Sequence, residues 1–205
     1  MEAKTKKSEL TRSAIIEAGL EMAISHGFGA VTVPSLAEKL QLSNSGVFSR
    51  IGSIEALRTA LVEEYTKRFL GEIFFPAMEQ PRGIDRLNAM VERWIHKICS
   101  SSGNNVTLFE VTAFSNEPAA QSLRGTILTN VRAWRSAMEY TIQQGMEKGQ
   151  FRDDADASAL LFEIHCLVVG VLYEYRVLDD PSSAEKAICA YRALIERFKR
   201  PVASA

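Results

Sequence analysis

Apolar residues in this chain recur every three or four positions and almost nowhere every second one. That spacing builds amphipathic helices and gives a β-sheet nothing to alternate on, so the sequence predicts an all-α fold. Five of the six prolines fall between or beyond the helical stretches. The spacing predicts a first helix from about Ser8, as N-cap, to Ser25, with Ile15, Ala18, Gly19, Met22 and Ala23 on one face and Gly27 ending it. Thr32 is the expected N-cap of a short second helix through Leu40, with Pro34 in its first turn, where a missing N–H costs little. Ser43 is the expected N-cap of a short third helix through Ile51, and a longer fourth starts at Gly52 or Ser53 and carries Ile54, Leu57, Leu61, Tyr65 and Phe69.

Phe74-Phe75-Pro76 and Gln80-Pro81-Arg82-Gly83 are then expected to break the chain. Further helices are expected over Ile84–Ser100, Thr107–Phe114, Pro118–Lys148 with Gly149 as its stop, Asp156–Leu178 and Ala184–Lys199. No run of about 18 apolar residues stands out, which argues against a membrane span. MEAKTKKSELTR has no apolar signal core, and the three cysteines suit reduced thiols, so a cytoplasmic protein is expected.

The sharpest feature is the pair of short helices joined by a tight turn. Leu36, Leu40, Leu42 and Val47 are spaced to close a small core, and Ala37 is small where the helices must approach. The third helix then offers Asn44, Ser45, Ser49 and Arg50 outward, as a helix-turn-helix does: Asn suits adenine and Arg suits guanine. An αα-hairpin at the corner of a bundle explains the same spacing. A net charge of −1 excludes coating nucleic acid by bulk charge, not a local footprint. Residues 1–58 hold seven Lys and Arg against six Asp and Glu, and Lys4, Lys6 and Lys7 make either a DNA-touching arm or a solvated tail.

Arg12-Ser-Ala-Ile-Ile-Glu-Ala18-Gly-Leu, Gly27-Phe28, Thr32-Val33 and LAEKLQLSNSGVFSRIGSIEAL from Leu36 to Leu57 resemble the DNA-binding domain of the tetracycline-repressor (TetR) family of bacterial transcriptional regulators. The pieces keep that family's order and spacing over about 46 residues. The rest resembles its effector and dimerisation domain, through Pro81-Arg82-Gly83, Trp94 and Gly149-Gln-Phe151-Arg-Asp153. The resemblance implies a head over residues 1–53 and a helical ligand-binding and dimerisation domain over 54–205. It makes Thr32 a cap and phosphate contact, and puts Asn44, Ser45 and Gly46 where the recognition helix meets bases and backbone. Phe48 replaces the usual Tyr, Arg50 the usual His and Ile54 the usual Lys, which removes two phosphate contacts; Gln41 stands where a Gly usually makes the turn.

The implied function is ligand-responsive repression from double-stranded operator DNA, with no catalysis, cofactor or membrane. A helical-bundle enzyme or carrier that uses the central pocket is the alternative, and the absence of GxSxG, P-loop and GxGxxG motifs counts against it. His96 and Cys99 lie at i, i+3 but have no evident third ligand, so no metal site is expected. Trp94, Phe109, Phe114, Trp134, Met138 and Phe162 are the candidate effector walls, with a plain helical core as the other reading. Ala187, Ile188, Tyr191, Leu194, Ile195 and Phe198 form an apolar stripe. With Leu161, Ile164, His165, Val168 and Leu172 of the preceding helix, that stripe predicts a homodimer through a four-helix bundle.

Overall fold

The helix ends follow local chemistry. In the computed structural model, which describes residues 2–100, 112 and 115–201 (backbone only for 2–7), α1 spans Glu2–His26 and ends at Gly27, whose φ of 82° a residue with a Cβ would adopt only under strain. A 3₁₀ turn, Phe28–Ala30, leads to α2, Val33–Leu40. Thr32 caps α2 with a reciprocal box: the Ser35 amide donates to its hydroxyl, and its own amide donates to Ser35 Oγ. Helix α3, Asn44–Ile51, is capped by Ser43, and α4 spans Ile54–Phe69, with the Ser53 hydroxyl accepting from the Ala56 amide. A π-helical turn, Leu70–Phe74, leads into α5, Phe75–Met78. Next come α6, Ile84–Ile98; α7, Pro118–Glu147; α8, Ala157–Arg176; and α9, Ser183–Phe198. Among the described residues, β-pairing is confined to one isolated bridge, Phe151 with Lys199.

The chain divides into two compact units, Met1–Arg68 with Asn104–Asn130, and Phe69–Gly103 with Val131–Ala205. In the first, Ile15, Leu20, Phe28, Val31, Leu36, Val47, Leu57 and Leu61 are buried, and Arg68 ties Glu17 of α1 to Glu64 of α4. In the second, one apolar cluster runs from Phe69 and Ile73 through α6, the later part of α7, α8 and α9. Gly83 must lack a side chain here: a Cβ would sit 1.9 Å from Gln150 Oε1, which accepts the Ile84 amide at the start of α6.

Three expectations need correction. Helix α1 begins at Glu2, so Ser8 is not its cap; Ala3, Lys4, Lys6 and Lys7 contain no helix breaker and the helix continues through them. Phe74-Phe75-Pro76 does not break the chain. The wider π turn, in which the Phe75 amide donates to Leu70 O, absorbs Pro76 near the start of α5. The argument against a membrane span also fails on length and composition, because α8 is long and apolar enough to cross one, with a mean hydropathy of 1.6. Its Leu160, Leu161, Ile164, Val168 and Val171 are nonetheless core residues of its own unit. The helix expected at Thr107–Phe114 lies outside the described residues except for Thr112.

Candidate nucleic-acid interface and effector cluster

The hairpin turns on Gln41, which is left-handed at φ 54° and ψ 40°. Its amide donates to Glu38 O, and the Leu42 amide donates to Ala37 O at 2.9 Å. This left-handed cap is the geometry a glycine usually supplies, and Gln41 adopts it at a cost of about 1–2 kcal/mol. Leu36, Ala37 and Val47 are buried between the helices; Leu40 and Leu42 are half-buried at the edge. Ser43 Oγ accepts the Gly46 amide at 3.0 Å, which fixes the first turn of α3.

With Val47 fixed inward, Asn44, Ser45, Phe48 and Ser49 are exposed on α3. Phe48 is 56% exposed, an unusual place for a free aromatic ring. Arg50 differs from its expected outward pose. It is half-buried, its Nη1 donates to Ser49 Oγ at 2.7 Å, and its Nε is buried with no partner among the described residues. Thr32 sits at the entry of α2, where its hydroxyl is engaged in the capping box. Lys4, Lys6 and Lys7 lie on the first turns of α1, and their side chains fall outside the described residues. Ile54 is half-buried at the start of α4. Glu117 escaped the sequence reading: its carboxylate accepts the Gly29 amide at 3.2 Å and braces the loop before α2. A contact 88 residues away along the chain leaves no local signal.

The second unit gathers part of the aromatic set. Trp94 and Trp134 meet edge to face at 5.5 Å, Phe69 lies 5.0 Å from Trp134, and His165 lies 5.4 Å from Trp94. Met138 is fully buried in the same apolar cluster. Both indole Nε1 atoms are buried with no hydrogen-bond partner among the described residues. His165 Nδ1 lies 3.1 Å from Leu161 O. Burial, aided by the Arg135 charge and outweighing that hydrogen bond, lowers the imidazole pKa to about 4, so the ring is neutral near pH 7. Phe162 does not join them: it is 63% exposed on the other face of α8. Phe109 and Phe114 lie outside the described residues. His96 is exposed, and no group of three metal-ligating side chains occurs among the described residues.

Most of the expected dimer residues turn inward. Leu161, Ile164, Val168, Tyr191, Leu194 and Ile195 are buried in one chain's own core; His165, Leu172, Ile188 and Phe198 are half-buried. Tyr191 even spends its hydroxyl on Asn88 Oδ1, at 2.9 Å. The apolar face left in the open is a different one: Phe162, Val169, Tyr173 and Val177, at i, i+7, i+11 and i+15 along α8 and its end. Helical spacing reveals an apolar stripe; in a helix apolar on two sides it does not say which side meets the chain's own core.

Residues 83–191 match the family model described as "Tetracyclin repressor-like, C-terminal domain". No curated protein matches the chain. Among solved structures, a TetR transcriptional regulator from Chloroflexus aurantiacus superposes with a TM-score of 0.81 at 17% identity, over 96% of this chain and 100% of that one. A TetR-family transcriptional regulator from Cytophaga hutchinsonii gives 0.75 at 15% identity, over 96% and 98%. AibR, solved in complex with isovaleryl coenzyme A and operator DNA, gives 0.68 at 14% identity, over 93% and 99%.

Proposed function

The chain belongs to the tetracycline-repressor family of ligand-responsive transcriptional regulators, and from that premise we propose that it is a homodimeric repressor released from a palindromic operator by a small molecule. The observation that carries the reading is the α2–α3 hairpin, capped at both starts and presenting Asn44, Ser45 and Ser49 to solvent from a face fixed by buried Val47. In this reading residues 1–53 are the DNA-binding head and 54–205 the effector and dimerisation domain. Asn44, Ser45 and Ser49 face base edges, Arg50 reaches a base by leaving Ser49, and Phe48 and Gly46 pack against the duplex. Thr32 and the α1 residues Lys4, Lys6 and Lys7 lie toward phosphates. The complex of AibR with operator DNA and an acyl coenzyme A supports pairing these two activities on this fold. The protein has no catalytic role and acts on cytoplasmic DNA.

The effector site is the Phe69, Trp94, Trp134 and Met138 cluster. Helix α4 follows α3 directly along the chain and ends on Phe69, a member of that cluster. The dimer forms through the open face of α8, which supplies an apolar surface that a second copy covers around a two-fold axis. That symmetry sets two heads one helical turn apart on a palindrome.

Selection of random DNA against the purified protein, followed by salt-dependent gel shifts, tests the proposal. A palindromic site is expected, and Arg50→Ala is expected to cost about 1–3 kcal/mol in specific binding, the worth of the base contact that Arg50 makes on leaving Ser49. Recovery of no sequence preference by the folded protein refutes the repressor reading. Unchanged preference in the folded variant refutes the assignment of Arg50.

A further inference from the structure

Trp94 is 3% exposed and Trp134 is 8% exposed, yet neither indole N–H has a partner among the described residues. A core that needed only bulk here gains nothing from an indole N–H that it cannot pair. Two stranded donors on touching rings are therefore the unexplained feature of this cluster. In the edge-to-face pair at 5.5 Å and 90°, one indole can aim its N–H at the other's face, a weak bond that leaves the second donor unmet. His165 is the polar neighbour of Trp94, with the Arg135 charge acting on it. Leu161 O can only accept, so the neutral ring's Nδ1 carries the proton and its Nε2 keeps a bare lone pair. Phe69, buried beside Trp134, supplies an apolar wall.

We infer that this cluster takes a small, flat, apolar molecule that presents hydrogen-bond acceptors, a carbonyl or carboxylate, to the Trp94 and Trp134 N–H groups. The inference rests on the proposed effector role of the cluster and names the chemical class. Ligand acceptors recover bonds that the unliganded core lacks, so the site favours acceptor-bearing molecules over hydrocarbons of the same shape.

The sequence contains two tryptophans, so both indole N–H signals in a ¹⁵N spectrum of the full chain report on this cluster. The probes are phenylacetate, phenylacetone and isobutylbenzene, which share a shape and differ in acceptors. Phenylacetate or phenylacetone is expected to move both indole protons downfield and to bind at least ~10-fold more tightly than isobutylbenzene. Which of the two does so separates a carboxylate ligand from a neutral carbonyl. The double variant Trp94→Phe, Trp134→Phe, with its fold checked by circular dichroism, is expected to lose that preference. Three results overturn the inference: isobutylbenzene binding as well as both acceptor probes, acceptor probes binding without moving the indole signals, or no probe moving either signal. Gel shifts on the same preparation keep the two proposals apart. Intact operator binding with failed probes removes only this inference, whereas absent operator binding removes the regulator reading.

Discussion

Phe162 and Leu194 separate surface from core in a way that a pair of glutamates can test. Leu194 is 5% exposed within one chain, so Leu194→Glu removes a packed side chain, at about 2–5 kcal/mol, and strands a carboxylate in an apolar cluster. Together these consume most or all of a typical domain's stability of about 5–15 kcal/mol. Leu194→Glu is therefore expected to unfold the chain, not merely to separate subunits. Phe162 is 63% exposed, and its replacement is expected to leave the monomer within about 0.5 kcal/mol of wild type. A Phe ring offers about 150–250 Å². The exposed part is then about 120 Å², worth about 3 kcal/mol when a partner covers it. A two-fold axis uses the residue twice, so Phe162→Glu is expected to weaken dimerisation by up to about 6 kcal/mol, roughly 10⁴-fold. Sedimentation equilibrium reads the dimer and circular dichroism melts read the fold. A folded Phe162→Glu that still sediments as a dimer at micromolar concentration refutes the assignment of the α8 face, as does a wild-type monomer.

Gln41→Gly is expected to stabilise the protein by about 0.5–1 kcal/mol, because relief of the left-handed strain exceeds the added freedom of the unfolded chain; a lower melting temperature would contradict this. Thr32→Ala is expected to cost about 1 kcal/mol in thermal melts by opening the α2 capping box, and no loss would show that the box contributes nothing. His165 has its pKa lowered from 6.5 to about 4 by burial, with Arg135 and Trp94 facing it. The unfolded chain thus binds a proton that the folded chain refuses, and stability is full above about pH 6.5 and falls as the pH drops toward 4. The whole shift is worth about 3 kcal/mol, reduced to about 1–2 by the ring's partial exposure; His165→Gln is expected to flatten that part of a stability–pH curve, and an unchanged slope would contradict the assignment.

Much of the hairpin was legible because its determinants are local. Thr32, Pro34 and Ser43 start helices by chemistry that acts within four residues, and Gly27 ends one by its own backbone freedom. The aromatic cluster around Trp94 and Trp134 was half legible as packing. Trp94, Trp134 and Met138 stood out as large apolar residues at helical spacing, whereas His165 read as a dimer residue and Phe162 as a pocket wall. Both residues lie on α8, whose mean hydropathy of 1.6 leaves little polar contrast to orient it. Its buried Leu160, Ile164, Val168 and Val171 and its open Phe162, Val169 and Tyr173 are equally apolar, and only tertiary packing tells them apart. The π turn that absorbs Pro76 and the Glu117 brace on Gly29 were illegible for another reason: neither has a composition of its own.

Under the proposed DNA-binding role, the hairpin's own residues set how binding divides between backbone and bases. A recognition helix usually secures phosphates with a Tyr hydroxyl and a following Lys; here those places hold Phe48 and Ile54. Lys39, on α2, is already paired with Glu21 at 3.1 Å. The hairpin itself carries two cations, Lys39 and Arg50, so low non-specific affinity is the expected outcome of the proposed role. The exposed ring of Phe48 loses a phosphate contact but gains the ability to pack on a thymine methyl, an apolar contact that carries sequence information. Asn44 beside it suits adenine. Under the proposed role, the substitutions are therefore expected to move binding energy from the backbone toward the bases. Phosphate anchoring is then expected from Thr32, from the α1 residues Lys4, Lys6 and Lys7 and from backbone N–H groups at the starts of α2 and α3. In the proposed dimer this balance is expected to select A·T-rich half-sites read twice, and random-DNA selection that returns G·C-rich half-sites would refute it.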